Sequence, residues 1–322
     1  MSDEENIQTA EADLSSGQFE AAREIYGALL ETQPTETDFQ SGFYGAGYWD
    51  NRRETIQGLK PGRSRGSYLY REWDQFQALA EERGYSDCRS YRLIMVRILS
   101  VAADELRLAF NREGGRSVDP GLLMELSKCL IKINDYQNAV DILRYTRKLH
   151  PKNAGVLFLL GEALCGSGDP ELLEKGVSAY RDAFLLNSRA IDPALLAAPP
   201  VAEIFRALLE EYEGNLEKTL EWLPARFFAV CFQTDFLPLS SHELIHLEGE
   251  ANRLERTLDT VTEKYRERVQ ALLSFYVLIL LHHFTRYEKD GGLAREYETL
   301  LRKAAPELDE IRKSNGSETL LP

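Results

Sequence analysis

The sequence has little of what usually marks covalent stapling or catalysis. Four cysteines, Cys88, Cys129, Cys165 and Cys231, are scattered through 322 residues with no CxxC pair. That spacing argues against a disulfide framework and fits small core residues in a reduced compartment, so the expected location is cytoplasmic. The first 20 residues lack the basic stretch and apolar core of an export signal. No run of 18 apolar residues occurs, and no membrane span is expected. Positive charge is short: 38 Lys and Arg face 52 Asp and Glu, a net −14 that excludes a general nucleic-acid-binding surface. No Walker pattern is present. Gly42, Gly45 and Gly47 do not space as GxGxxG and follow no strand, so they read as sites of close helix packing rather than a phosphate loop. No Ser/His/Asp or Cys/His arrangement stands out among the five histidines. No cofactor and no enzymatic activity are expected.

What is abundant is helical periodicity. In residues 119–153, Leu123, Leu126, Leu130 and Ile133 recur at helical spacing, and Asn134-Asp135 interrupts as a turn. Tyr136, Ala139, Val140, Leu143 and Leu149 form a second apolar face, and Pro151 stops it. The pattern returns: Leu157, Leu160, Gly161 and Leu164 match the first helix at a shift of 34, then Leu173, Gly176, Tyr180 and Ala183 match the second. Ala10, Gly17, Phe19, Ala22, Tyr26 and Pro34 repeat the same spacings near the N-terminus.

These copies resemble the tetratricopeptide repeat family, whose unit has 34 residues, small residues at the helix crossing and a closing proline. The likeness covers residues 3–36 and 120–188. The first-helix tryptophan of the family is absent, with Asn6, Leu123 and Leu157 in its place. The expected fold is all-α: a tetratricopeptide-like helical-hairpin solenoid with a C-terminal helical domain. Its divisions are residues 1–118, the two tandem repeats 119–190, and 191–322.

Between the copies, residues 41–58 and 67–83 read as two helices of a degenerate repeat. They flank a loop, residues 59–67, that carries Lys60, Arg63 and Arg65. With Arg52, Arg53 and Arg71 nearby, this reads as a flexible insertion suited to an acidic or phosphorylated partner. The periodicity also predicts a long amphipathic helix over 87–112, closed by Gly114-Gly115. Beyond residue 200, two short helices lead to Phe227–Phe236, rich enough in aromatics for a strand but expected as buried helix.

From Ser241 to Tyr287 no proline occurs and Gly249 is the only glycine, which predicts one helix roughly 70 Å long. Its first half carries a heptad seam, Leu247, Ala251, Leu254, Leu258, Val261 and Tyr265. That seam suits packing on the chain's own array, which is favoured, or a homodimer through residues 247–265. Its second half, Leu272–Phe284, is apolar all round and should be enclosed, with His282 and His283 as satisfied core or interface positions rather than a ligand pair.

Two functions compete. The resemblance implies a protein-interaction scaffold that binds a peptide or partner helix in a concave groove lined by first helices. By the family's spacing the lining residues are Glu11, Met124, Lys128, Ile131, Lys132, Phe158 and Glu162. The alternative is a zinc-dependent hydrolase centred on HELIH, residues 242–246. On a helix, His242 and His246 stand one turn apart for a shared metal, with Glu243 as general base. Against it, Asn252 stands where a third histidine is needed. The last methionines, Met95 and Met124, lie upstream of any Met-turn, and Ser240-Ser241 read as a helix cap.

Overall fold

The structure, a computed structural model, describes residues 3–113, 119–187, 189 and 191–314. The predicted Gly114-Gly115 closure and the tail from Asn315 lie outside them. Every regular element among the described residues is helical, and neighbours in sequence pack as pairs. The chain divides into two compact units, Met1–Leu149 and His150–Pro322. The two central hairpins therefore belong to different units.

The first unit begins with the hairpin α1 (Asp3–Ser16) and α2 (Phe19–Thr32), followed by α3 (Thr37–Asp50) and the single short turn α4 (Arg53–Gly58). Then come α5 (Arg63–Glu82), α6 (Arg89–Glu113), α7 (Pro120–Lys132) and α8 (Tyr136–Leu149). Small residues sit where the hairpins cross: Ala10, Ala22, Ser127 and Ala139 are fully buried. Helix α6 is the hub, packed against α1, α3, α5 and α7. Its predicted apolar face does this, with Ile94, Leu99, Ala102 and Leu106 completely enclosed. The expected pairing of α3 with α5 as one hairpin does not form. Helix α3 pairs with α2, and α5 pairs with α6. Large rings reach across between α3 and α5, Trp49 stacking on Trp73 with centroids 6.4 Å apart and Tyr48 meeting Phe76 at 4.9 Å. Rings of that size fill a gap too wide for close helix contact.

The second unit opens with α9 (Ala154–Gly166) and α10 (Pro170–Leu186). A Cβ at Gly161 would stand 2.8 Å from the Tyr180 ring, so only glycine permits this crossing. A 3-10 turn at Pro193–Leu195 leads to α11 (Val201–Glu211) and α12 (Leu216–Val230), then α13 (Ser241–Leu258), α14 (Glu263–His283), α15 (Gly291–Ala304) and α16 (Pro306–Ser314). Of Phe227–Phe236, the first four residues end α12, and residues 231–240 follow without regular structure. Helix α14 is the core, contacted by α12, α13 and α15, with Leu273, Val277, Leu278 and Leu280 fully buried.

The single helix expected from Ser241 to Tyr287 is broken. Residues 259–262 separate α13 from α14, and the two pack against each other. No glycine or proline does this. Asp-Thr-Val-Thr is a run of weak helix formers, Thr260 Oγ1 donates to the Thr257 carbonyl at 3.2 Å, and Thr262 is extended at ψ 153°. The seam residues Leu247, Ala251 and Leu254 are thereby buried inside the chain, while Tyr265 is exposed. With its terminal π turn, α14 is long and apolar enough to cross a membrane by composition, and most of its apolar stretch is buried among its neighbours.

Candidate functional site

The first unit contains a cleft of about 660 Å³ beside the α1–α2 turn, within the size range of ligand pockets. Gly17 makes the turn at φ +85°, a conformation that glycine adopts without strain. A Cβ there would also fall 2.9 Å from Arg97 Nε, so the bare backbone is what lets the guanidinium lie along this wall. Helix α6 supplies Arg97, Ile98 and Val101, the end of α3 supplies Trp49 and Asp50, and α4 supplies Arg53 and Ile56. Leu69 from α5 completes an apolar floor with Trp49 and Ile98, all three nearly inaccessible to solvent.

The polar groups around this floor are unequally satisfied. Arg53 pairs with Glu20 at 3.0 Å and lies 3.5 Å from Asp50. Asp50 Oδ1 is buried and has only that ion contact with Arg53 Nη2, and the indole N–H of Trp49, like those of Trp73 and Trp222, has no acceptor among the described residues. Unmet buried donors and acceptors are uncommon because each forfeits its water without compensation, about 1–3 kcal/mol. Arg97 is half-buried and, among the described residues, has neither a carboxylate within ion-pair distance nor a hydrogen-bond acceptor. Among the described residues, every other arginine that is not exposed has a carboxylate: Arg52 with Glu72, Arg65 with Glu105, Arg107 with Asp104, Arg181 with Asp182, Arg226 with Glu211 and Arg312 with Asp309. Arg97 is thus an exception in a chain with a surplus of acids.

The residues expected to line a groove fall in both units, five in the first and Phe158 and Glu162 in the second. Ile131, Phe158 and Glu162 are buried. Glu162 faces inward because it accepts from Tyr180 Oη at 2.7 Å and from the Ala197 and Ala198 amides at 3.2 and 3.1 Å. Burial pushes its carboxyl pKa up, against the pull of those bonds. Glu11 pairs with Arg89 at 2.7 Å, and Lys132 with Asp74 at 3.3 Å and Gln77 at 2.9 Å. Met124 and Lys128 are half-buried.

The basic loop is likewise corrected. Only Leu59–Gly62 separates α4 from α5, and Arg63 and Arg65 stand in the first turn of α5. Arg65 pairs with Glu105 at 2.9 Å and donates to the Leu59 carbonyl at 2.9 Å, and Arg63 pairs with Asp119. Internal carboxylates and carbonyls hold these cations, so they do not form a free patch. Lys60 is exposed.

At HELIH, Glu243 is occupied. Ser240 accepts from the Glu243 amide, and the Glu243 carboxylate accepts from the Ser240 amide at 2.8 Å and from its hydroxyl at 2.6 Å, closing a capping box. These bonds hold its pKa below the usual glutamate value, which suits a cap and weakens a general base. No group of three His, Cys, Asp or Glu side chains among the described residues is arranged to hold a metal. The buried thiols are also unsuited to nucleophilic work, since burial pushes Cys231 up to about 12 and Cys129 and Cys165 upward as well.

Sequence reasoning missed Arg97 because it lies inside an amphipathic run and carries no motif. Its neighbours Ile98 and Leu99 are legible as core, but its lack of a partner is a tertiary property. Gly17 was visible as a turn glycine, though not as the wall of a cleft. Compared with known protein families, with curated proteins and with solved structures, the chain has no significant match.

Proposed function

We propose that this chain is a binding scaffold, an array of tetratricopeptide-like hairpins whose partner is another protein or a peptide, and that it acts by binding rather than turnover. The observation that carries this reading is the cleft at the α1–α2 turn, which combines an apolar floor with a guanidinium that no carboxylate among the described residues neutralises. Such a mixture of apolar surface and a few unmet polar groups is how binding sites gain both affinity and orientation. The hydrolase alternative has no comparable support, since its base is spent on a helix cap.

The test is affinity capture with the wild type beside Ile56→Glu and Val101→Glu. Both side chains line the cleft and are half-buried, so a charge can reach water without unfolding the core. Partners held by the wild type and lost from both variants, at unchanged melting temperature, are expected. Identical captured sets would refute the assignment.

A further inference from the structure

We infer that the cleft takes a peptide segment in which a carboxylate neighbours an apolar side chain, with Arg97 as the partner of that carboxylate. This rests on the peptide-binding reading above and adds the chemistry of the ligand.

The first reason is the charge that is left over. Arg97 is the one arginine, among the described residues that are not exposed, without a carboxylate within ion-pair distance. A half-buried guanidinium gains most from a planar anion that it can grip with two parallel N–H bonds. The second reason is what surrounds it. Glu20, Glu24 and Asp50 also line the cleft, and Arg53 is engaged by Glu20 and Asp50. That leaves Arg97 as the one cleft guanidinium open to an anion, which matches a single carboxylate. A single carboxylate on an apolar stem fits both the one free cation and the floor of Leu69 and Ile98.

The experiment is selection of short random peptides displayed on phage against the full-length protein, followed by binding measurements on the selected peptides. Selected sequences should carry Asp or Glu beside Leu, Ile or Phe. Replacing that acid by its amide in the peptide should weaken binding about tenfold, a readout that alters no protein residue. Arg97→Gln should cause a similar loss, while Arg295→Gln, an exposed arginine outside the cleft, should cause none. Selection on Arg97→Glu should favour Lys and Arg instead. If peptides are selected but bind Arg97→Gln as tightly as the wild type, this carboxylate site is wrong and peptide binding stands. If none is selected above background, the peptide-binding reading itself fails.

Discussion

At the scale of single residues, two buried polar groups in the second unit carry the clearest consequences. His282 is 3% exposed, ringed by Phe228, Phe232, Phe236 and Tyr287, and donates from Nε2 to the Thr234 carbonyl at 3.1 Å. Burial lowers its pKa from 6.5 to about 4, the hydrogen bond opposing only in part. The unfolded chain therefore binds a proton near pH 6.5 that the fold refuses until about pH 4. Stability contributed by neutral His282 is complete above the unfolded value and is lost as pH falls through that window. The loss is about 3 kcal/mol by linkage, and His282→Gln should flatten the slope of denaturation midpoint against pH. A slope unchanged by the substitution would place the titrating group elsewhere. Glu162 makes the second case. Glu162→Ala strands the Tyr180 hydroxyl and the Ala197 and Ala198 amides. It should cost on the order of 3 kcal/mol in chemical denaturation, with Glu162→Gln costing less because its carbonyl still accepts.

At the scale of elements, caps and crossings were readable and breaks were not. Asp119, Asn153, Asp169, Asn215, Ser240 and Asp290 each accept a backbone N–H at a helix start. Those residue types signal a start in any sequence because their short side chains reach the orphan amides. Ser240→Ala removes one such bond and should lower stability by about 1 kcal/mol in thermal melts. Ala139, fully buried between α7 and α8, tests the crossing. Ala139→Leu should overpack it by about 1–3 kcal/mol, and an unchanged denaturation midpoint would mean the crossing is loose. The break between α13 and α14 carries no glycine or proline signal. Asp-Thr-Val-Thr has neither, and its small propensity deficits become decisive only because α13 gains more by folding back on α14 than by extending into water.

At the scale of the molecule, the folded-back α13 changes what the seam implies. Leu247, Ala251 and Leu254 have their apolar partners within the same chain. Leu254→Glu should therefore destabilise by about 3 kcal/mol or more through a buried unpaired charge, with no change in the mass of the folded species. A halved mass with melting preserved would instead reveal a seam shared between two copies.

The sequence by itself determined most of the helices, the Ser240 cap, the small residues at crossings and the apolar interior of α14. All of these depend on contacts within a few residues, so periodicity and side-chain type reveal them. It left His282 and His283 as core or interface positions, and the fold places both in the core. Tertiary structure alone decided that α3 pairs with α2, that α5 joins α6 and not α3, and that the cations of residues 63 and 65 are met by Asp119 and Glu105. It also decided that Arg97 is left without a partner among the described residues. Ion pairing links residues dozens of positions apart, and whether a given arginine is met or unmet follows from where the backbone brings distant carboxylates, a quantity that no local pattern contains.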